Sequence, residues 1–511
     1  MASSSGDADY GSTSGSTHKL GLTMECGGYP DDSDLEDRTA KRGMSWQNAA
    51  WVINASVIGM GVLTIPSTFA LLGWLVGLVS LVACLLANII VAQVMMEVQE
   101  LHPRAITLAD AAQIASGGSR TVKVVFRSVL YAEKLACTCA YVTLMADTLG
   151  SVFYSVHWCE ATWSVIIVVL FLPLMQLKNL QETFFLNIVN FVTILAVVIL
   201  TCILVSTTPR TEPAITSWLP ASDFRTAFGA LSMLVFAYSG NWMYFELMAE
   251  MTEPKKFLKA FSIAGPTQVG LYALIGCVCY GVMGRSVPAS VVEVLRFGPF
   301  MRAIAFLLTV HIICGTGTNI IVLIRFFHSR VSPQDVNEDT TRANVVRTVI
   351  YFCILSGTFL VSLTIGEFRE VITLIGAMFE APISFICPFV IYEGVMRGRP
   401  PRRTWSSRLV WVAAFLIAIF GVFVMIFGVI DAVAHLQHLP PRHSGLFSCN
   451  CEGLWDTCDC SRERMPAGAC KVPASSMAEL RSVAQMPIGL QDMVDPQREW
   501  LLLPALDQQS P

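Results

Sequence analysis

The sequence predicts an all-α, polytopic membrane protein with about eleven transmembrane helices. Three observations lead to this class: 54% of the 511 residues are hydrophobic, only 14% are charged, and the mean hydropathy is +0.58. A soluble protein of ordinary composition carries roughly a quarter charged residues, so a disordered chain, a coiled coil and a soluble multidomain enzyme are excluded. The formal net charge of −4 gives no reason to expect nucleic acid as a partner.

Composition divides the chain into three parts. Residues 1–44 are rich in Ser, Gly, Thr and Asp, which predicts a disordered cytosolic tail. No apolar core follows a short basic start, so we expect no cleavable signal peptide. Residues 45–433 form a transmembrane domain, because roughly 390 residues accommodate about eleven spans of roughly 20 residues with short loops. Residues 434–511 are polar again and form a cysteine-containing, largely disordered tail on the other side of the membrane.

Each span is placed where apolar residues continue for the length that a bilayer requires. A polar, partly amphipathic stretch at 101–122 separates the second span from the third. The last span is the clearest and the fourth is the shortest. In chain order the predicted spans are 47–71, 74–99, 123–156, 163–177, 184–205, 224–248, 257–283, 300–327, 345–365, 371–392 and 408–432.

Basic residues in the predicted loops give the orientation. Twenty Lys and Arg residues fall on the side of the amino terminus, against six on the opposite side. Cytosolic loops are enriched in such residues, so the amino terminus is predicted to be cytosolic. An odd number of spans then places the carboxyl-terminal tail outside the cell or in an organelle lumen. A plasma membrane and a vacuolar or lysosomal membrane both fit this multi-pass topology.

Two of the spans contain sequences that favour an interrupted helix. The first carries Gly59 and Gly61 with Pro66 behind them, and the sixth carries a Tyr-Ser-Gly-Asn run within 237–242. Unpaired backbone groups cannot face lipid, so an unwound segment must line a protein cavity; the alternative is a patch of small residues that packs helices together. The two sequences occupy corresponding positions in two five-span halves. Paired interruptions of this kind predict a midplane site in an inverted-repeat transporter.

The chemistry of a broken helix suits an amino acid. Its exposed amides and positive half-helix end can hold a carboxylate, while freed carbonyls can hold an ammonium group or a coupling cation. No cofactor and no metal are required. The candidate substrate-binding residues are Ile58, Gly59, Met60, Gly61, Tyr238, Ser239, Gly240 and Asn241.

Several motifs, taken in order, resemble the amino acid/auxin permease family. Segment 54–66 is similar to the family pattern N-x-x-x-I-G-x-G-x-L-x-x-P. Further matches lie at 107–112, at 131–133 with 140–147, at 228–240 with 250–257, and at 374–377, which Pro382 and Pro388 follow. The resemblance implies a leucine-transporter-like fold: a 5+5 inverted repeat with broken helices 1 and 6, plus an eleventh helix. It also implies secondary transport of amino acids, here expected to be neutral ones, coupled to protons or sodium. The family often has histidine where this chain has Asn241.

Polar side chains in the first and eighth spans are candidates for an ion site. Asn54 and Ser56 precede the first interruption, where side-chain oxygens can cap freed backbone or bind an ion. Thr316, Thr318 and Asn319 cluster in the eighth span, which faces the first in the implied fold. Their oxygens suit sodium. The alternative is that the cluster only packs helices together, with the threonine hydroxyls bonded to backbone carbonyls of their own helix.

Ionisable residues at membrane depth are a second set of candidates. Glu133 and Lys134 lie early in the third span; Glu133 can carry a coupling proton, and Lys134 can extend its ammonium to the cytosolic surface. Neighbouring positions point about 100° apart on a helix, so these two residues need not pair. Glu246 and Glu380 are further carboxylates within predicted spans. The lone His311 is best explained by a hydrogen bond inside the bundle.

Most of the 16 cysteines lie in predicted spans and act as small hydrophobes. The tail instead carries two C-x-C pairs, at 449–451 and 458–460, and a further cysteine at 470. Disulfides are plausible there if the tail is extracytosolic. A soft-metal site is the alternative, but C-x-C lacks the usual zinc-finger spacing and no histidine is interleaved.

Other classes of function are weaker interpretations. An amino-acid-sensing receptor on the same fold is the leading alternative, and amino acid flux separates it from a transporter. An enzyme is not expected, because the sequence has no H-E-x-x-H, G-x-S-x-G or P-loop motif. The expected partners are therefore an amino acid, H⁺ or Na⁺, and membrane lipid.

Overall fold

The computed structural model describes residues 43–153, 156, 160–171, 183–208, 213–220, 222–288, 298–334, 340–362, 368–398 and 405–437. Within these ranges the regular structure is helical, apart from one bridge between Met44 and Met251. Most of both predicted tails, at 1–42 and 438–511 and including the tail cysteines, lies outside the described residues, as do positions 172–182, which include the end of the fourth predicted span.

The helices follow the predicted spans in chain order. Their bounds are α1 Trp46–Val57, α2 Ile65–Leu101, α3 Leu108–Ala115, α4 Arg120–Val152, α5 Glu160–Leu170, α6 Thr183–Thr207, α7 Phe224–Ala237, α8 Tyr244–Glu250, α9 Phe257–Met283, α10 Pro299–Val331, α11 Thr341–Ser362, α12 Phe368–Ile375, α13 Cys387–Met396 and α14 Trp405–Leu436. Short helical turns, Met60–Thr64 and Asn241–Met243, stand between α1 and α2 and between α7 and α8.

Eight helical stretches of the described chain are long and apolar enough to cross a membrane. They account for eight of the eleven predicted spans: the second, third, fifth and seventh to eleventh. The first and sixth predicted spans do not qualify as separate stretches because each is divided at its interruption. The fourth does not qualify because its described helix has only 11 residues. The protein is therefore a multi-pass helical membrane protein.

Gly73 separates the first predicted span from the second. The segment Ile65–Leu101 consists of two helices joined by a kink at Gly73, whose φ of 74° and ψ of 176° are not helical. A Cβ at this position would lie 2.8 Å from the carbonyl oxygens of Ser217 and Leu219. Trp74 and Leu75 donate backbone hydrogen bonds to Ser217 and Trp218, which fasten the bend. Glycine is needed here for both its left-handed backbone and its lack of a side chain.

The helices that contain the interruptions pack against the longer helices of the bundle. Helix α10 packs on α4 and α6, α9 packs on α1, α2 and α6, and α7 packs between α2 and α14. Large apolar side chains remain exposed on the outer faces of α2, α6 and α14, including Val79, Val192 and Leu416. Since these faces run along helices of membrane-spanning length, they are the surfaces that meet lipid.

Both interruptions predicted from the sequence are present. Helix α1 ends at Val57 and α7 ends at Ala237, and each is followed by a short turn before the next helix begins. A third irregularity was not predicted. Residues Gly376–Glu380 and Pro382–Ile386, in the tenth predicted span, are wound as π-helical turns, which often occur at functional sites.

Candidate functional site

The first interruption frees backbone carbonyls at the end of α1. The amide of Gly59 donates to Val57, 2.9 Å away, instead of to Ala55 in the preceding turn. Nδ2 of Asn190, from α6, donates to the Ala55 carbonyl at 2.9 Å. At the start of the following turn, the amides of Met60 and Gly61 have no intrahelical acceptor by position. The interruption therefore leaves carbonyls at the end of α1 bonded to groups outside the regular helical pattern, and amides at the start of the next turn without a helical acceptor.

Tyr272 of α9 joins the two interruptions. Its hydroxyl donates to the carbonyl of Ala237, the last residue of α7, at 2.6 Å and lies 3.4 Å from the carbonyl of Val57. Tyr238 stacks on it edge to face, with 5.0 Å between ring centres. Because both tyrosines are buried, one side chain supports the carboxyl ends of both half-helices.

The two interruptions also pack directly on each other. A Cβ on Gly61 would lie 2.7 Å from Cα of Ala237, and a Cβ on Gly240 would lie 2.6 Å from Cγ2 of Val57. Both distances are far shorter than real contacts, so neither position accepts a side chain. Gly61 and Gly240, predicted to bind substrate, are thus the points at which the two segments meet.

Gly59 has a different environment. A Cβ at this position would meet only the hydroxyl of Tyr141, at 3.6 Å, within the described part of the chain. The same hydroxyl lies 3.8 Å from the Cβ position of Gly315 in α10, as does Oδ1 of Asn190. The hydroxyl of Tyr141 therefore lies beside the open side of Gly59 and also beside Gly315.

Several predicted site residues hold buried polar atoms without a protein partner. Both amide atoms of Asn54, the hydroxyls of Tyr238 and Thr316, and Oδ1 of Asn241 have no hydrogen-bond partner among the described groups. Oδ1 of Asn190 belongs to the same set. An unsatisfied buried polar atom costs about 1–3 kcal/mol, so a concentration of them around the interruptions marks a region where a polar ligand or ion gains partners.

The predicted ion-site residues differ in burial. Asn54 is fully buried, whereas Ser56, two positions further on, lies on an exposed face of α1. Thr316 is buried and Asn319 is half-buried in α10, while the side chain of Thr318 lies outside the described residues. His311, as expected, is buried and its Nδ1 lies 3.0 Å from the carbonyl of Asn190.

Glu133 and Lys134 form a buried ion pair in α4. Oε2 of Glu133 lies 3.0 Å from Nζ of Lys134, and Sγ of Cys137 donates to Oε1 of Glu133 at 3.1 Å. The expectation that Lys134 extends to the cytosolic surface is wrong: the residue is only 7% exposed and its ammonium sits 3.8 Å from the centre of the Trp242 ring. Its long side chain curls back because the carboxylate and the aromatic face compensate the charge within the bundle.

Glu380 brings a second carboxyl to this ion pair. It is the last residue of the first π-helical turn, is 1% exposed, and interacts directly with Glu133 and with Ser239 of the second interruption. Oγ of Ser384 lies 3.5 Å from its Oε2. Asn241 donates through Nδ2 to the carbonyl of Ser384 at 3.0 Å. The tenth predicted span is thereby bonded to the second interruption at two points.

Sequence reasoning found the interruptions but missed most side chains that hold them. Tyr141 was noted only as part of a motif match, Glu380 only as one more intramembrane carboxylate, and Tyr272 and Asn190 not at all. The one available signal was a polar or ionisable residue inside an apolar span. That signal gives no indication of which helix such a residue faces.

Comparisons with known proteins agree on one family. The family model described as "transmembrane amino acid transporter protein" matches residues 42–434. The N amino acid transport system protein of Neurospora crassa is 24% identical over 371 residues, which cover 70% of this chain and 77% of that protein. Amino acid transporter AVT1D of Arabidopsis thaliana is 22% identical over 395 residues, covering 74% and 68%.

Two solved structures are similar at lower identity. The crystal structure of MhsT in complex with L-phenylalanine has a TM-score of 0.49 and 12% identity, covering 77% of this chain and 99% of that chain. The inward-facing conformation of Mhp1 has a TM-score of 0.44 and 14% identity, covering 80% and 94%.

Proposed function

Because this chain belongs to the transmembrane amino acid transporter family, we propose that it is a secondary active transporter of neutral amino acids that works by alternating access. The single observation that carries the proposal is the pair of interruptions, at Val57 and Ala237, packed against each other inside the bundle. Such paired breaks are typical of midplane substrate sites. We also propose eleven helices in a leucine-transporter-like 5+5 arrangement, with a cytosolic amino terminus.

The substrate site is proposed to lie at the open side of Gly59. The free amides at the start of the turn Met60–Thr64 and the hydroxyl of Tyr141 suit a carboxylate. The carboxyl ends of α1 and α7 carry partial negative charge that suits an ammonium group. Tyr141, the described residue beside the open side of Gly59, is uncharged, and so are Asn190 and Gly315, which lie close to each other. A neutral side chain therefore matches the site better than an acidic or basic one.

Coupling to a proton or to sodium is part of the proposal. Glu133 is the candidate for a proton, because it is a buried carboxyl beside the second interruption. For sodium the candidates are the oxygen-bearing side chains named from the sequence: Asn54, Ser56, Thr316, Thr318 and Asn319. Asn54 and Thr316 have the better geometry of these, because both are buried and lack partners among the described groups.

Counterflow in proteoliposomes tests the proposed function. Vesicles holding the purified full chain are preloaded with an unlabelled amino acid, and uptake of the labelled form is followed for L-alanine, L-leucine, L-phenylalanine, L-lysine and L-glutamate. We expect transient accumulation for at least one neutral member, and little for lysine or glutamate. The Gly59→Leu variant, which fills the space beside Tyr141, should lose the signal.

The same assay separates transport from sensing. A receptor on this fold binds amino acids without moving them, so saturable binding in detergent without counterflow would reject the transporter. Counterflow of charged amino acids alone would reject the neutral specificity while keeping transport.

A further inference from the structure

We propose that Glu133, Lys134 and Glu380 together form a proton-binding site, in which the two carboxyl groups share the coupling proton. The inference rests on the proposed transport function and deepens it, since it names the coupling ion and the groups that hold it. Three residues from two helical segments carry it: Glu133 and Lys134 of α4, and Glu380 at the end of the π-helical turn Gly376–Glu380.

The balance of charge in the cluster calls for one proton. All three side chains are buried, with 2% of Glu133, 7% of Lys134 and 1% of Glu380 exposed, so bulk water does not solvate their charges. Two ionised carboxylates beside one ammonium leave a net negative charge in the bundle, which is strongly unfavourable in a low-dielectric interior. One added proton makes the cluster neutral. Two facing carboxyl groups also have no hydrogen to share unless one of them is protonated.

The groups around the cluster do not supply another positive charge. The thiol of Cys137 donates to Oε1 of Glu133. Tyr141 interacts electrostatically with the carboxyl groups of Glu133 and Glu380. Glu246 of α8 is a further acidic group, and it interacts electrostatically with Lys134. Of the charged groups that act on Glu380, Lys134 is positive and Glu133 is negative. A proton is therefore the remaining source of neutrality.

The cluster is attached to the moving parts of the proposed mechanism. Ser239 contacts Glu380, the Trp242 ring covers the Lys134 ammonium, and both belong to the second interruption. Tyr141 connects the cluster with the other interruption, because its hydroxyl lies beside Gly59. A rearrangement of either interruption during alternating access thus changes what covers the carboxyl pair.

Because of these contacts, a movement of the second interruption changes the protonation of the carboxyl pair. While the cluster is covered, one carboxylate oxygen keeps a proton taken from water on one side of the membrane. When the second interruption moves away, water reaches the pair and solvates two ionised carboxylates. The proton then returns to water on the other side. The cycle needs no reactant besides the proton.

Proton flux through reconstituted variants tests the site. The variants Glu380→Gln and Glu133→Gln each remove one titratable carboxyl group. Glu380→Gln leaves the opposite charges of Glu133 and Lys134 paired with each other. The matched control is Glu393→Gln in α13, whose carboxyl accepts from Nε1 of Trp411 at 2.6 Å and lies outside the cluster. Three signals are followed: counterflow without a gradient, uptake driven by an inside-alkaline pH gradient, and amino-acid-evoked acidification reported by trapped pyranine.

We expect both cluster variants to keep counterflow with the neutral amino acid that gives the largest wild-type signal. Their gradient-driven accumulation should fall about tenfold, and evoked acidification should disappear. Glu393→Gln should retain all three signals. Glu380→Asp, which keeps a titratable group, should retain acidification with a shifted pH profile.

Unchanged proton uptake per amino acid in Glu380→Gln or Glu133→Gln would overturn the inference, as would wild-type uptake that follows a sodium gradient and ignores pH. If neither glutamine variant can be reconstituted, Glu380→Asp provides the test. A pH profile of evoked acidification identical to that of the wild type would then contradict the inference. Failure of wild-type counterflow would instead reject the proposed transport function, so the two failures are distinguishable.

Discussion

Adding one methyl group to each glycine of the first interruption should separate its packing role from its binding role. At Gly61 the new Cβ would lie 2.7 Å from Cα and 3.0 Å from Cβ of Ala237, so the two interruptions must move apart. At Gly59 it would meet only the Tyr141 hydroxyl, at 3.6 Å, which is an ordinary van der Waals distance. Gly59 also has an extended backbone, with φ −122° and ψ −151°, which alanine adopts without strain.

The expected magnitudes differ accordingly. Overpacking of a tight interior costs about 1–3 kcal/mol, so Gly61→Ala should lower the thermal stability of the purified protein. Gly59→Ala makes no such clash and should leave stability close to that of the wild type, yet its methyl group occupies the space proposed for substrate. We therefore expect Gly59→Ala to weaken the apparent affinity in counterflow while the protein melts as the wild type does.

Thermal melting in detergent and counterflow in proteoliposomes measure the two effects on the same preparations. The reasoning fails if Gly59→Ala is destabilised as much as Gly61→Ala, because the open space beside Tyr141 would then be absent. It also fails if Gly59→Ala and Gly59→Leu both transport with unchanged affinity. In that case substrate does not bind at the open side of Gly59.

Four further outcomes are expected. Tyr272→Phe should lower stability by about 1–3 kcal/mol, because the buried carbonyl of Ala237 loses its donor; melting like the wild type would show that the bond contributes little. Tyr141→Phe should weaken apparent substrate affinity roughly 10- to 150-fold in counterflow at unchanged stability, since a hydrogen bond to a charged group contributes about 1.5–3 kcal/mol. Unchanged affinity would exclude the hydroxyl from the site. Lys134→Met should lower the stability of the protein by about 3–5 kcal/mol, because it leaves the Glu133 carboxylate buried without its partner. The yield of monodisperse protein measures this loss, and a yield equal to that of the wild type would contradict the prediction. A tag on the carboxyl terminus should be inaccessible from the cytosol in intact cells, and cytosolic labelling would mean an even number of spans.

Much of the architecture could be predicted from the sequence because it depends on local properties. Apolar stretches of bilayer length predicted spans whose positions match helices such as α9 and α14 to within a few residues. The glycines and polar residues at 54–66 and 237–242 predicted the two interruptions, since helix continuity depends on nearby residues. The π-helical turns near Glu380 escaped prediction, although Pro382 and Pro388 were a local signal of disturbed helical hydrogen bonding.

The interactions of the site depended on contacts between distant parts of the chain. Lys134 was expected at the cytosolic surface on the basis of its own helix, but Trp242, more than a hundred positions away, covers its ammonium. The pairing of Gly61 with Ala237 likewise joins two separate spans. Helical spacing determines the direction of a side chain on its own helix and carries no information about the helix opposite.

By itself, the sequence determined that this is a multi-pass helical membrane protein with breaks in its first and sixth predicted spans. It could do so because lipid excludes charge and unpaired backbone over any segment long enough to cross it. Only the tertiary structure decided which polar groups meet: Tyr272 with the carbonyl of Ala237, and Glu133 and Lys134 with Glu380. Buried polar groups require partners, but the partners are chosen by packing between helices that lie far apart in the chain.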